Sequence, residues 1–174
     1  MQDNNQELLP LVDEEGNVIG SATRGQCHDG SKLLHPVVHL HLFDSEGRIY
    51  LQQRPLWKDI QPGKWDTAVG GHVDAGESVE AAARRELKEE LGIEGSPEVF
   101  FTSTIRNDIE SENVTVFKLI CDGPFDFSRE EIDEVRFFEL ELFRDECNRM
   151  RDDFTPNLQR ELGDVIKMLK GGAK

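Results

Sequence analysis

Three glutamates in one short segment, Glu86, Glu89 and Glu90, are the residues whose spacing most directly indicates chemistry. On a helix they fall within one arc of about 100° and within roughly 6 Å of helix rise. Carboxylates that close repel one another and do not all stay ionised in a bare protein. A hard divalent cation such as Mg²⁺ removes this conflict, and it coordinates phosphate oxygens as well. The spacing therefore indicates metal-assisted chemistry on a phosphate compound.

The sequence predicts that a helix from Ser78 to Leu91 carries these glutamates. Good helix formers dominate this stretch, and Gly92 stands where a helix usually ends. The apolar residues recur at helical spacing and form one stripe: Val79, Ala83, Leu87 and Leu91. For the glutamates alone, an exposed acidic face with Lys88 and Arg84 as surface partners is the competing interpretation.

A longer pattern around the helix favours the metal. Gly71 stands six residues before Glu77, seven residues then lead to Arg85-Glu86-Leu87, and Glu89-Glu90, Gly92 and Ile93 complete the pattern. The run Gly71–Ile93 resembles the Nudix box, a loop–helix–loop that binds divalent metal and cleaves diphosphates. Every defining position is filled, and nine constrained positions at fixed spacing rarely match by chance.

The resemblance implies which residues hold the metal and which residue braces them. Mg²⁺ or Mn²⁺ would bind to three carboxylates and one backbone position: Glu86, Glu89, Glu90 and Gly71. Arg85 would pair with Glu77, tie the loop to the helix and so orient the ligands. Gly71 would let the backbone pass close to the metal and the phosphates, because glycine has no Cβ.

The reaction implied by this resemblance is hydrolysis of a diphosphate linkage by attack of water on phosphorus. The metal would lower the pKa of the attacking water, and a general base would lie within hydrogen-bond reach of it. The box helix offers Glu89 and Glu90, of which Glu90 is our first choice for the base. Glu131 or Glu134, in a later acidic segment, is the main alternative; a solvated loop is the competing interpretation of that segment.

A second set of residues narrows the resemblance to the branch of the superfamily that includes isopentenyl-diphosphate isomerase. The residues that carry this likeness are His28, His35, Trp65, Gly71-His72 and Glu110-Ser111-Glu112. In the isomerase family, three histidines and two glutamates in similar surroundings hold a divalent metal. The resemblance therefore implies a candidate second site, suited to Zn²⁺ or Mn²⁺, made of His28, His35, His72, Glu110 and Glu112.

One position departs from the isomerase pattern. The isomerase carries its essential cysteine immediately before the Gly-His pair, where this chain has Gly70. Proton addition to an alkene then lacks one acid–base group, and the intact box, usually degenerate in the isomerase, also favours hydrolysis. The alternatives are an isomerase-like enzyme and a non-catalytic module that senses a nucleotide. Such sensors commonly lose the metal glutamates, whereas this chain keeps them.

Two cations and two further histidines complete the candidates. Arg54 and Lys58 resemble, in position, the cations that hold the diphosphate in the isomerase family, with ordinary surface charge as the alternative. Arginine suits phosphate oxygens through its bidentate fork and lysine through a point charge. His39 and His41 alternate with apolar residues along a predicted strand, which predicts that both lie on its polar face.

The composition narrows the range of partners and compartments. A formal net charge of −15 argues against nucleic-acid polymers and anionic membranes as partners, whereas a small diphosphate substrate can bind beside a metal. Three cysteines, odd in number and far apart, suit reduced thiols. With no visible signal or membrane segment, we predict a cytoplasmic protein. The oligomeric state is left open, a homodimer being the commonest closed assembly.

We predict a single domain over residues 1–174, because no repeat or linker divides the chain. A β-hairpin is predicted within 1–25, the box at 71–93 and helices within 140–170. The strands predicted between them are 37–43, 48–53, 98–105, 113–121 and 134–139. The pattern alone indicates mixed α and β structure. The Nudix resemblance implies an α+β fold, an α/β/α sandwich with a mixed central sheet.

Overall fold

The computed structural model describes residues 4–58, 60–140 and 151–171. Its strands are β1 (Leu8–Val12), β2 (Val18–Thr23), β3 (Leu34–Phe43), β4 (Ile49–Gln53), β5 (Trp65–Thr67), β6 (Val69–His72), β7 (Glu98–Arg106), β8 (Ser111–Ile120) and β9 (Glu134–Phe138). Its α-helices are α1 (Arg24–Cys27), α2 (Val79–Leu91) and α3 (Pro156–Gly171).

The central sheet is mixed, as the resemblance implies. Five of its strands are neighbours in the order β5, β4, β3, β8 and β7, while β6 pairs with β3 and β9 pairs with β4. β3 and β8 run parallel over their whole length, whereas the other pairs in this sheet are antiparallel. β1 and β2 form a separate antiparallel hairpin. The chain therefore has a mixed α+β fold.

β3 lies at the centre of the sheet, and its alternating side chains reach both faces. Val38, Leu40 and Leu42 are buried against the apolar stripe of α2, which includes Leu87 and Leu91. Each buried leucine stabilises the fold by about 2 kcal/mol. A second cluster connects the opposite face to α3: Phe43, Ile49, Leu51, Trp65, Phe154, Leu158, Leu162 and Val165. Helices therefore cover both faces of the sheet.

α2 begins and ends where its sequence predicts. Ser78 Oγ accepts a hydrogen bond from the amide of Ala81 at 3.2 Å, which satisfies one of the unpaired amides at the helix start. Gly92 ends the helix in the left-handed conformation, with φ of 67°, and its amide donates to the carbonyl of Lys88. The rigid helix fixes the positions of the box glutamates.

The predicted hairpin strands, the later strands and α3 are present within a few residues of their predicted bounds. The helix predicted from 140 to 150 falls, beyond Leu140, outside the described residues. Local sequence patterns do not indicate two short elements. One is α1, which a reciprocal cap between Thr23 and Gln26 starts. The other is β6, which makes Gly71 and His72 part of a strand.

No helix in the parts of the chain that the structure describes is long and apolar enough to cross a membrane.

Cys27 is buried and Cys121 is half-buried, and both are free thiols. Cys147 lies outside the described residues.

Candidate active site

A cavity of about 770 Å³ lies between α2, β3, β6 and the start of α3. Most of the predicted site residues line it: His28, Arg54, Lys58, Gly71, His72, Arg85, Glu86, Glu89, Glu90, Glu110 and Glu112. The cavity thus brings together residues from segments far apart in the chain.

Gly71 and Glu86 lie so close together that, with the Glu86 carboxylate in its present position, only glycine fits at position 71. A Cβ added to Gly71 would lie 2.1 Å from Glu86 Oε1 and 2.2 Å from Glu86 Cδ. Any Cβ at position 71 would therefore displace the Glu86 carboxylate from its place beside β6. The glycine of the box therefore lets the first carboxylate of α2 rest against the backbone of β6.

We expect Gly71→Ala to lower turnover by at least about 100-fold, because the Glu86 carboxylate must move by about an ångström or more. Steady-state kinetics at saturating Mg²⁺ would measure this loss. Gly20→Ala is the matched control, since a Cβ added there meets nothing within 4 Å. Equal activity of the two variants would contradict a requirement for the close approach.

Arg85 connects the loop of the box to its helix. Its Nε and Nη2 donate to the two carboxylate oxygens of Glu77 at 3.1 and 2.9 Å, which is a bidentate pair. Its Nη1 donates to Glu86 Oε1 at 2.7 Å and to Glu89 Oε2 at 3.3 Å. Nη2 also donates to the carbonyl of His72 at 3.0 Å. One guanidinium thus orients two of the three box carboxylates.

Glu86 and Glu90 lie in surroundings that disfavour their negative charge. Burial raises the pKa of Glu86 to about 7, with repulsion from Glu89 adding to the effect and Arg85 opposing it. Burial also raises the pKa of Glu90 well above its ordinary value, and the Glu86 carboxylate adds to this. Gln52 Nε2 donates to Glu90 Oε2 at 3.0 Å. A bound cation would favour both charged carboxylates, so this donor set fits a divalent metal.

The second predicted set of ligands also comes together in space. The ligand atoms of His28, His35 and His72 lie within 4.8 Å of one another, and so do those of His28, Glu110 and Glu112. The centroids of the three histidine rings are 5.2 to 5.6 Å apart. The parallel pairing of β3 with β8 places His35 directly opposite Glu112. Sheet topology therefore assembles this cluster.

The protonation and partners of this cluster fit a transition metal. His35 Nδ1 donates to the carbonyl of Leu33 at 3.0 Å, which leaves Nε2 with its lone pair. His35 Nε2 and Glu112 Oε2 are buried and make no hydrogen bond to any residue that the structure describes. Burial lowers the pKa of His35 and, more strongly, that of His72. Both rings are therefore neutral near pH 7, the form that binds Zn²⁺ or Mn²⁺.

Arg54 and Lys58 line the cavity, and carboxylates of the chain already engage both. Arg54 Nη1 lies 3.3 Å from Asp66 Oδ2, and Arg54 Nε donates to the carbonyl of Ile60 at 3.1 Å. Lys58 Nζ lies 2.6 Å from Glu131 Oε2. A substrate phosphate would therefore have to share or displace these carboxylates.

The two alternatives for a general base in the later acidic segment lie in different places. Glu131 lines the cavity beside Lys58. Glu134 does not line the cavity, and its carboxylate accepts from Arg136 Nη2 at 2.8 Å on the exposed surface of β9. The structure thus brings Glu131, and not Glu134, to the box glutamates.

Sequence patterns do not reveal a buried glutamate of α3 beside the cavity. Glu161 is 2% exposed, and its carboxylate contacts His39 Nδ1 at 2.5 Å and His41 Nε2 at 3.0 Å. The alternation along β3 predicts correctly that the two histidines share a polar face, yet α3 buries that face. More than a hundred residues separate the partners, so no local signal could pair them.

Known proteins are similar to this chain in sequence and in fold. Residues 33–158 match the family model of the NUDIX domain. The chain is 37% identical over 160 residues to an uncharacterized Nudix hydrolase of Yersinia pestis, which covers 90% of this chain and 84% of the relative. It is 33% identical over 154 residues to an isopentenyl-diphosphate Delta-isomerase of Serratia proteamaculans, which covers 86% of each.

A solved structure has the same architecture. The protein DR0079 of Deinococcus radiodurans superposes with a TM-score of 0.78 at 25% identity, over 91% of this chain and 98% of that chain. The match to the NUDIX domain covers well over half of the chain and includes the whole box. The chain therefore belongs to the Nudix family and is a Nudix hydrolase.

Proposed function

We propose that this protein hydrolyses a diphosphate linkage in a small molecule, by attack of water on phosphorus, while its box carboxylates hold Mg²⁺ or Mn²⁺. The observation that carries this proposal is the arrangement around Gly71. Glu86 rests against the glycine backbone, and Arg85 orients Glu86 from the other side. Glu90 is buried in the same cavity, where burial disfavours its charge unless a cation binds. Together these features support a site for a metal and a phosphate.

The metal, Arg85 and Glu90 would have different roles in this reaction. When bound, the metal supplies positive charge to the phosphates and acidifies the attacking water. Arg85 keeps Glu86 and Glu89 in position, so that the ligands need no rearrangement when substrate arrives. Glu90 is buried in the cavity and oriented by Gln52, and its carboxylate would accept the proton of the attacking water. Glu131 is the second candidate for that role.

The cluster of three histidines and two glutamates would bind a second ion, Zn²⁺ or Mn²⁺, next to His72, the last residue of β6. Two observations support this proposal: the short separations among the donor atoms and the buried, unbonded Nε2 of His35. Imidazole nitrogen selects such ions over Mg²⁺. The two sites would therefore differ in their preferred metal.

With Mg²⁺ in excess, we expect the wild-type protein to retain one Zn²⁺ or Mn²⁺ ion per chain. The double variant His28→Ala/His35→Ala should bind that ion at least about 100-fold more weakly, because two of its ligands are lost. Mn²⁺ titration followed by electron paramagnetic resonance measures this binding. Glu86→Gln is the cross-control, since it removes a carboxylate of the other site only. Unchanged Mn²⁺ binding by the double variant would exclude the second site.

Isomerisation of a prenyl diphosphate is a second candidate activity, which the histidine–glutamate cluster and the isomerase relative favour. The position of the essential isomerase cysteine is Gly70 here. Neither of the described cysteines, Cys27 and Cys121, lines the cavity. The cavity therefore gains no thiol from the described part of the chain, and hydrolysis is the better-supported proposal.

A screen for release of phosphate and pyrophosphate tests the proposed function. Nucleoside triphosphates, nucleotide sugars, dinucleoside polyphosphates and prenyl diphosphates would each be incubated with Mg²⁺ and with Mn²⁺. We expect metal-dependent cleavage of one class by the wild-type protein and none by Glu89→Gln. If Glu89→Gln retains the cleavage, the activity does not depend on the Nudix box. If no class of compound is cleaved by the wild-type protein, the result contradicts the proposed hydrolysis.

A further inference from the structure

The ring of His39 is held in one orientation by a buried carboxylate. Its Nδ1 lies 2.5 Å from Oε1 of Glu161, and Nε2 of His41 lies 3.0 Å from the other carboxylate oxygen. An ionised carboxylate only accepts hydrogen bonds, so both of these ring nitrogens must carry protons. His39 Nε2 is then the nitrogen left for another partner.

This remaining nitrogen of His39 borders the cavity next to a glycine. The His39 ring lines the cavity, and a Cβ built on Gly70 would lie 3.4 Å from its Cδ2 and 3.8 Å from its Nε2. Nε2 makes no hydrogen bond to any residue within 4–58, 60–140 or 151–171. Gly70 and Gly71 are consecutive residues, so His39 and Glu86 lie on opposite faces of β6, and neither glycine adds a side chain to the cavity wall. Both groups line the same cavity, so a ligand that extends past the two glycines can contact both of them.

His39 is cationic near neutral pH. Burial alone would lower its pKa, but the charge and hydrogen bond of Glu161 outweigh burial and raise the pKa to about 9. Glu112 of β8 and Asp66 of β5 contribute in the same direction. Conversely, burial would raise the pKa of Glu161, but the two histidines lower it to about 2. Nε2 therefore carries a proton and offers a charged donor to the cavity.

The other expected cations of the cavity are bound by carboxylates of the chain. Arg54 pairs with Asp66, Lys58 pairs with Glu131, and the guanidinium of Arg85 is shared among three glutamates. Glu112 and Asp66 act on His39 through their charge, but no described residue accepts a hydrogen bond from its Nε2–H. A polyanion in this cavity would therefore meet, at His39 Nε2, a charged donor that has no hydrogen-bond partner among the described residues.

We propose that His39 binds a phosphate oxygen of the substrate through its Nε2–H, and that Glu161 is a positioning residue that fixes the ring and its tautomer. This inference rests on the proposed function, because the ligand is the diphosphate of that reaction. If His39 only connected β3 to α3, its substitution would lower the stability of the fold but would not change the affinity for a diphosphate.

Binding of methylenediphosphonate, a diphosphate that cannot be hydrolysed, tests this role without turnover. Calorimetric titration of the Mg²⁺-loaded protein should show that His39→Gln weakens affinity by about 10- to 100-fold, as expected for loss of a hydrogen bond to a charged group. His41→Gln is the matched variant: it touches the same carboxylate but does not line the cavity. We expect at most about a threefold effect there.

A second measurement uses the wild-type protein, so the result does not depend on a variant that folds poorly. In protein labelled with ¹⁵N-histidine and loaded with Mg²⁺, methylenediphosphonate should shift the Nε2 resonance of His39 and leave that of His41 in place. An unmoved His39 resonance, equal affinity of wild type and His39→Gln, or no binding to the wild type would each overturn the proposal.

The two proposals fail in different ways. In one outcome, the substrate screen shows hydrolysis that depends on Glu89 while His39→Gln leaves the affinity for methylenediphosphonate unchanged. That result would support the hydrolase and exclude the proposed role of His39. If His39→Gln weakens methylenediphosphonate binding while no compound of the panel is cleaved, the result would support the diphosphate-binding site and contradict the proposed hydrolysis.

Discussion

Glu90→Gln should lower metal-dependent turnover by about 1000-fold, because it removes both a metal ligand and our first choice for the general base. Glu90 is buried, lines the cavity and is oriented by Gln52. Glutamine has the same shape but neither the charge nor the basic oxygen. Steady-state kinetics on the substrate that the screen identifies, at saturating Mg²⁺, would measure this loss.

The same substitution should leave the fold at least as stable in the absence of metal. The pKa of Glu90 in the folded protein lies above its unfolded value of 4.5, so at pH values above 4.5 the folded state binds more protons than the unfolded state. The free energy of unfolding therefore falls as the pH rises above 4.5. Glutamine does not titrate, so the stability advantage of Glu90→Gln in EDTA should grow as the pH increases from about 5 to 8. Glu80→Gln, on an exposed position of the same helix, is the control. Activity of Glu90→Gln at the level of Glu80→Gln would remove Glu90 from the mechanism.

Arg85→Ala should both destabilise the protein and impair catalysis. Its removal leaves Glu77 without its bidentate partner and frees Glu86, both of which are largely buried. Because Arg85 itself is partly exposed, we expect a loss of roughly 2–3 kcal/mol rather than the larger cost of breaking a fully buried pair. Thermal unfolding should show a fall in Tm of about 5–10 °C. Turnover should fall by at least about 100-fold, because two metal ligands lose their orientation.

Two matched variants separate the geometry of Arg85 from its charge. Arg84→Ala removes an adjacent, exposed cation and should change Tm by less than about 2 °C. Arg85→Lys keeps the charge but loses the planar fork that holds Glu77, so it should remain well below wild-type activity. Wild-type Tm and activity in Arg85→Ala would show that Arg85 does not brace the box.

The box and its helix can be predicted from sequence because their determinants are local. The Ser78 cap, the apolar stripe and the left-handed Gly92 lie within one turn of the residues that they affect. The pairing of Arg85 with Glu77 spans only eight residues, and the structure shows the two hydrogen bonds that the resemblance implies. The ordered resemblance predicts the histidine–glutamate cluster, and the β3–β8 and β3–β6 registers place Glu112 and His72 beside β3, which carries His35.

The remaining contacts of the site depend on sheet order, which local periodicity does not contain. Gln52 meets Glu90 across 38 residues, and His39 meets Glu161 across 122 residues. Glu134 is the first residue of β9 and pairs with Gln53 of β4, whereas Glu131 lies in the turn before β9, where its carboxylate contacts Lys58 at the cavity. No local pattern indicates that Asp66 pairs with Arg54 or that Glu131 pairs with Lys58.

The most direct test of the central claim, attack of water on phosphorus, is to repeat the substrate screen in H₂¹⁸O. We predict that the wild-type protein with Mg²⁺ or Mn²⁺ incorporates one ¹⁸O atom per cleavage into a phosphate-containing product, as detected by mass spectrometry. EDTA and Glu89→Gln should each abolish the incorporation. A prenyl diphosphate that is isomerised with both phosphates retained and no ¹⁸O, or a panel with no labelled product at all, would contradict hydrolysis.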